Sequence, residues 1–350
     1  MGKAIWRAAG VATLAAAALP LLVRSNPWPG AWLVRRLFAR SDARAHARLA
    51  RHVRPGIEVR GGLAYGSGSD ERLDLYRPLG AAPLPLLVWV HGGGWVGGSR
   101  AVVGNWLQVL AGAGYATAAI GYSTARPGVH YPTPLHQLNR ALAWLDAHAD
   151  TLGIDRRRIV LGGSSAGAQI SAQLALAASS DGYARRLGLA PVAAARALRG
   201  VVLLSGAFDL DGVGDNWFVN SLLWAYTGRR DFRRDPWLHL MAITPHLGSH
   251  FPPAFVSSGN ADPLAPQARK LVQRMQRLGL DCDSLFFAAG QPRSLHEFQF
   301  DLDSAAGQAC LARLLAFLSR VAGAGTQVEG SDAAQRHSAH ARAADGMAQA

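Results

Sequence analysis

Ser165 stands in Gly163-Ser164-Ser165-Ala166-Gly167, the G-x-S-x-G spacing of a sharp turn between a strand and a helix. The residues before it, Arg158-Ile159-Val160-Leu161, read as a short buried strand, and residues 168–178 after it are rich in helix formers. In so tight a turn a Cβ at position 163 or 167 would collide with the neighbouring strand or helix, so only glycine fits. The serine hydroxyl is thereby pushed out above a sheet, where it can act as a nucleophile. A second piece lies upstream, where the apolar run Leu86-Leu87-Val88-Trp89-Val90 ends at His91-Gly92-Gly93-Gly94-Trp95. The backbone N–H groups of Gly93 and Gly94, with that of Ala166, could converge on the oxyanion of a tetrahedral intermediate. Taken alone, each motif also reads as a small-residue loop, so the rest of the chain must supply a base and an acid.

Both are present in a usable order. A strand over 253–258 leads into Gly259-Asn260-Ala261-Asp262-Pro263-Leu264, which sets Asp262 in a turn stiffened by Pro263. A helix over 266–278 and a strand over 282–288 follow, and then a loop carries His296 in Leu295-His296-Glu297-Phe298. A serine cannot attack until a base removes its proton; a histidine titrating near neutrality can do so, and a carboxylate behind it fixes the tautomer and stabilises the imidazolium. The chemistry predicted for Ser165, Asp262 and His296 is acyl transfer through a covalent acyl-serine. Asp209 and Asp211, after a strand over 201–205, are the rival acids; Asp262 is preferred because it precedes the last strand and the histidine. His130, His136 and His148 read as loop or helix-surface residues.

These residues resemble the hormone-sensitive-lipase-like branch of the α/β-hydrolase serine esterases, which includes small carboxylesterases and is similar to isoprenylcysteine methylesterases. The resemblance runs over about 62–318 and rests on the glycine motif at 91–95, Gly163 to Gly167, Asp262-Pro263-Leu264 and His296. It implies a mostly parallel eight-stranded sheet with helices on both faces and a small helical cap. It also implies carboxylic ester hydrolysis by a catalytic triad and oxyanion hole, with no cofactor and no metal. Several positions depart from that pattern: Ser164 precedes the nucleophile where many members have Asp, Tyr122 is followed by Ser123 instead of Arg, and Glu297 follows the histidine where many have Gly. An acyltransferase or amidase would use the same three residues, and a non-catalytic lipid- or partner-binding protein could keep the fold.

The elements that must position this chemistry fall in three parts: an arm over 1–54, a catalytic domain over 55–322 and a tail over 323–350. With 350 residues the chain can hold one large α/β domain plus extensions. Its two cysteines, Cys282 and Cys310, match no metal spacing and no disulfide framework. The formal net charge of +13 is uneven. Lys3, Arg7, Arg24, Arg35, Arg36, Arg40, Arg44, Arg48, Arg51 and Arg54 face only Asp42 in the first 54 residues. Residues 8–23 are nearly all apolar between Arg7 and Arg24, which reads first as a membrane anchor, with a signal peptide of a secreted or periplasmic protein and a soluble docking helix as alternatives. Next, Trp28, Trp32, Leu33, Leu37 and Phe38 interleave with arginines in a pattern suited equally to a helix in lipid headgroups and to one packed over the enzyme's mouth. The arm is expected to be dispensable for chemistry, so that a chain beginning near Arg54 stays soluble and active. A hairpin over 58–65 and 72–77 opens the domain, a strand over 116–122 follows, and a helix runs on to about 149. The cap is placed at about 208–247, where Trp217 and Trp224, with Trp95 of the glycine motif, are expected to line an apolar substrate pocket. The tail, lacking large apolar residues, is expected to be disordered. The implied partners are a small-molecule ester and a membrane; no nucleic-acid motif occurs.

Overall fold

The computed structural model describes residues 25–80, 83–210, 214–288 and 290–323. The expectations for the apolar run at 8–23, for Asp211 and for the tail from 324 onward fall outside the described residues.

In chain order the main elements are α1 (Trp28–Leu49), β1 (Ile57–Ala64), β2 (Arg72–Pro78), β3 (Leu84–Val90), α2 (Gly104–Ala111), β4 (Ala116–Ile120), α3 (Thr133–Ala147), β5 (Ile154–Ser164) and α4 (Ala166–Ser179). After them come β6 (Gly200–Leu204), α5 (Trp217–Thr227), α6 (Pro236–Met241), β7 (Ala254–Ser258), α7 (Ala265–Arg277), β8 (Cys282–Phe286) and α8 (Ala305–Ala322), with shorter helical turns between. The eight strands form one sheet in the order β1-β2-β4-β3-β5-β6-β7-β8. β1 and β2 are antiparallel to their neighbours and every other pairing is parallel.

A parallel sheet is covered on both faces, which is why its strands are nearly continuous apolar runs. All seven residues of β3 are buried. Leu86, Val88 and Val90 point into the layer beneath α3 and α4, whereas Leu87 and Trp89 point into the opposite layer with Trp106, Phe255 and Phe317 of α2, β7 and α8. β5 is longer at both ends than the four-residue strand read from the sequence: Asp155 and the arginines beside it extend it toward solvent, where Arg158 pairs with Asp155 at 2.6 Å, and Gly162 to Ser164 remain paired with β6. The stretch at 208–247, where the cap was placed, contains the helices α5 and α6.

The structure differs most from the division expected at residue 54. α1 is not an arm apart from the domain: it packs against α5 and α2 at the mouth of the sheet, and Ala31, Val34 and Leu49 are buried. Its approach to α5 is so close that a Cβ on Gly30 would lie 2.4 Å from Ser221 Oγ. Arg35 Nε donates to the Val96 carbonyl at 2.6 Å and its Nη2 to the Ala125 carbonyl at 3.1 Å. Phe38, which the sequence pattern left open to lipid or protein, faces Phe218 of α5, with ring centroids 6.0 Å apart. Of the two roles open to this helix, packing over the mouth is the one its buried face takes.

A chain beginning at residue 55 is therefore expected to be destabilised. Burial of Val34 and Leu49 alone is worth roughly 1.5–3 kcal/mol each, against a net stability of about 5–15 kcal/mol for a typical domain. Thermal unfolding of chains beginning at residues 25 and 55 should show a clearly lower midpoint for the shorter one; equal midpoints would restore the division at 54.

Candidate active site

Ser165 caps the N-terminus of α4 with φ 54° and ψ −122°, a conformation that L residues rarely adopt. The turn is held by the surrounding backbone: Ser165 N donates to the Leu204 carbonyl of β6 at 2.9 Å. A Cβ at position 167 would lie 2.1 Å from the Val90 carbonyl oxygen, and one at position 163 would lie 2.5 Å from the Gly167 carbonyl carbon. Both glycines are thus required by contact, and the strain at Ser165 is carried by β3, β5 and β6 around it.

The structure brings together the three residues read as nucleophile, base and acid. His296 Nε2 lies 3.0 Å from Ser165 Oγ, and His296 Nδ1 lies 3.0 Å from Asp262 Oδ1. Asp262 is buried and accepts further bonds from Ser258 Oγ at 2.7 Å and Leu264 N at 2.9 Å. Burial by itself would raise its pKa, but the hydrogen bond and charge of His296, with the two other donors, hold it below the usual carboxylate range. The loops carrying acid and base are pressed together at Gly259, where a Cβ would lie 2.1 Å from the Ser294 carbonyl oxygen. The rival Asp209 is paired with Lys270 and takes no part.

The glycine motif lies across the nucleophile, where a Cβ on Gly92 would be 3.1 Å from Ser165 Cβ. Gly93 and Gly94 have φ of 111° and 59°, so their backbone is open only to glycine at little cost. Neither N–H is taken up by a described acceptor, and Ala166 N–H is a first-turn donor of α4 with no partner inside the helix. These three N–H groups are therefore not committed to other acceptors, as donors to an oxyanion must be. The loop is anchored behind by Tyr122, whose hydroxyl donates to the His91 carbonyl at 3.0 Å and whose ring stacks on His91 at 4.2 Å. Burial pushes the His91 imidazole down to about 4, so it is neutral and serves as packing.

A sequence model of the alpha/beta hydrolase fold matches residues 87–298, the stretch that holds all of these parts. The chain belongs to the α/β-hydrolase fold family. It is 30% identical over 222 residues to Esterase LipC of Mycobacterium tuberculosis, covering 61% of this chain and 54% of that protein. It is 31% identical over 215 residues to an ethyl acetate hydrolase of Pseudomonas putida, covering 59% of this chain and 65% of that one. The chain spans about half the length of the first two curated relatives it matches, 54% and 50%. In fold it is similar to the crystal structure of Esterase B from Lactobacillus rhamnosis, with a TM-score of 0.72 and 22% identity over 85% of this chain and 97% of that one.

In this α/β-hydrolase a cleft of about 730 Å³ opens beside His296. Trp95, Trp217 and Trp224, expected to line the substrate pocket, are not among the residues around this cleft, which borders His296 and Ser164 and does not reach the Ser165 side chain. Trp95, at φ 61°, turns its indole into the core, where it donates to Gln169 Oε1 at 3.1 Å and stacks on Tyr226 at 5.2 Å. Trp224 is half-buried with Arg230 over its ring, and Trp217, at the start of α5, is 45% exposed. The walls come instead from Asp42 and Leu49 of α1, from Val103, and from the loop carrying Leu295 and Phe298. Phe38 and Leu222 close over Gly94, where a Cβ would be 3.2 Å and 3.1 Å from them.

Two carboxylates that the sequence reading left out of the site face His296. Glu297 sits at φ 57° with its N–H on Ser205 Oγ at 3.1 Å, and its Oε1 would be 2.8 Å from a Cβ on Gly92. Its one sequence signal was its place directly after the histidine, where many members of the family it resembles have Gly. Asp42 has no such signal, because it lies far from His296 along the chain. Burial and then repulsion by Glu297 push the Asp42 carboxyl up to about 7, with His296 opposing. At His296 burial lowers the pKa, but the bond to Asp262 and the charges of Glu297, Asp262 and Asp42 outweigh it, so the imidazole titrates above its ordinary value.

A base must be neutral to accept the serine proton, so activity should rise with pH through the raised His296 pKa. Asp42→Asn removes one charge that raises it. The acidic limb of the kcat/KM profile is expected to move to lower pH in that variant, and a limb that stays in place would show that Asp42 does not act on His296.

Proposed function

We propose that this chain is a serine hydrolase that cleaves small to medium apolar carboxylic esters through an acyl-enzyme on Ser165. The observation that carries the reading is His296 held 3.0 Å from both Ser165 Oγ and Asp262 Oδ1. In this mechanism His296 takes the Ser165 proton as the hydroxyl oxygen attacks the ester carbonyl, and the oxyanion is received by the N–H groups of Gly93, Gly94 and Ala166. The imidazolium, stabilised by Asp262, gives its proton to the departing alkoxide. Water, deprotonated by the same imidazole, then attacks the acyl-serine and releases the acid. The names of the curated relatives, esterases and an ethyl acetate hydrolase, support the ester as substrate. A cleft of about 730 Å³ is of the size that encloses a small or medium ligand. The apolar run at 8–23 and the basic stretch after it support membrane association as part of the same reading.

Ser165→Ala is expected to lower kcat on a short-chain aryl ester by roughly four orders of magnitude or more and to abolish covalent labelling by a fluorophosphonate. A variant that keeps a near-normal rate would refute the assignment. Across a series of esters measured below micelle formation, kcat/KM should fall for long acyl chains; a rise with chain length would refute the substrate size.

A further inference from the structure

Once α1 is docked on the domain, its outward side still carries Trp32, Leu33 and Leu37, which are 56%, 42% and 53% exposed. On the same side Arg36 lies over the Trp32 ring at 5.0 Å and Arg40 is exposed. The adjoining start of α5 adds Trp217 and Phe218, 45% and 38% exposed, the latter in edge contact with Phe38 of α1. Leu295, 59% exposed, stands on the rim of the cleft. Eight large apolar side chains are exposed among the described residues, and these six sit on the two mouth helices and the cleft rim, with only Val59 and Leu79 elsewhere. Folding therefore leaves a greasy surface where the cleft opens, although the rest of the protein hides such residues well.

The charge around this surface is mostly positive among the described residues. The single acid of α1, Asp42, lines the cleft together with His296 and Arg44, while Arg36 and Arg40 are exposed on the outward side. Asp215, next to α5, is engaged by Asn220 and Arg233. Tryptophan and leucine interleaved with arginine, with no carboxylate on the outward side of α1, match a layer in which acyl chains lie beneath anionic headgroups. A second protein chain would need matching acids of its own and a shape fitted to the helix; a bilayer needs neither.

We propose that the outward side of α1 and the first turn of α5 form a docking face for an anionic lipid bilayer, seating the mouth of the cleft on the membrane so that esters reach Ser165 from the lipid phase. The face belongs to the folded body and acts apart from residues 8–23, which would hold the chain near a membrane without orienting it. The inference rests on the proposed ester hydrolysis for its substrate route and on the surface alone for docking.

The test uses the full chain with vesicles of phosphatidylcholine alone or mixed with phosphatidylglycerol, carrying brominated acyl chains that quench tryptophan on contact. Quenching is expected to be greater on the anionic vesicles and to drop in Trp32→Phe. The paired substitutions Leu33→Ser with Leu37→Ser, and Arg36→Glu with Arg40→Glu, should slow hydrolysis of a vesicle-embedded ester about ten-fold or more. They should change hydrolysis of a water-soluble ester by no more than about two-fold, as surface substitutions do. Equal quenching on both vesicle types, or no change in Trp32→Phe, overturns the docking face even if the chain pellets with membranes. So does a lipid-free dimer that the leucine pair dissolves while vesicle hydrolysis is unchanged. If the wild type hydrolyses neither ester the proposed function has failed, and the quenching arm still decides the docking face by itself.

Discussion

The close approach of three backbones around Ser165 is the constraint on which the rest of this structure depends. The carbonyls of Val90 and His91 lie where a side chain on Gly167 would have to go, so β3, β5 and the start of α4 meet with no side chain between them. That contact holds Ser165 in its strained conformation and sets the glycine motif, which continues directly from β3, across the hydroxyl. Because β3 and β5 are neighbours in a parallel sheet, both loops leave the same edge, and β7 and β8 deliver Asp262 and His296 to that edge as well. Parallel pairing thus converts an order along the chain into a cluster in space.

A second dependence runs through α1. Arg35 ties the helix to the two segments that flank the glycine motif, through the carbonyls of Val96 and Ala125. Phe38 covers Gly94, and Asp42 looks into the cleft toward His296. One amphipathic helix therefore steadies the loop that would receive the oxyanion, closes one wall of the cleft and adds a charge to it. Where α5 presses closest its buried stripe uses the small residues Gly30 and Ala31, and Trp32, Leu33 and Leu37 point outward.

The electrostatics of the site concentrate on one imidazole. Burial favours neutral His296, and three carboxylates favour the charged form, of which only Asp262 is fully hydrogen-bonded. A buried carboxylate that accepts several hydrogen bonds stays ionised, whereas Asp42, lacking them, holds its proton up to about 7. The same residue type thus behaves in two ways within one site, according to the donors each carboxylate finds.

Much of this was legible in the residues. The elbow at Ser165 could be read because sterics at Gly163 and Gly167 are local, and the strands of the sheet because burial on both faces leaves continuous apolar runs. The order of Ser165, Asp262 and His296 could be read because each follows a strand. What the linear chain did not contain was the partner of each amphipathic face. The arm's pattern suited lipid and protein equally, and only packing decided that Val34, Phe38 and Leu49 turn to the domain while Trp32, Leu33 and Leu37 do not. Trp95, Trp217 and Trp224 were drawn to the site by proximity in sequence and by hydrophobicity, yet a positive φ sends one into the core and helix phase leaves another in solvent. Asp42 entered the site from a helix far away in the chain. Local sterics and burial patterns are properties of a few neighbouring residues, so the sequence determined the elbow and the strands; contacts between distant helices depend on where the whole backbone goes, so the cleft was decided only by the tertiary structure.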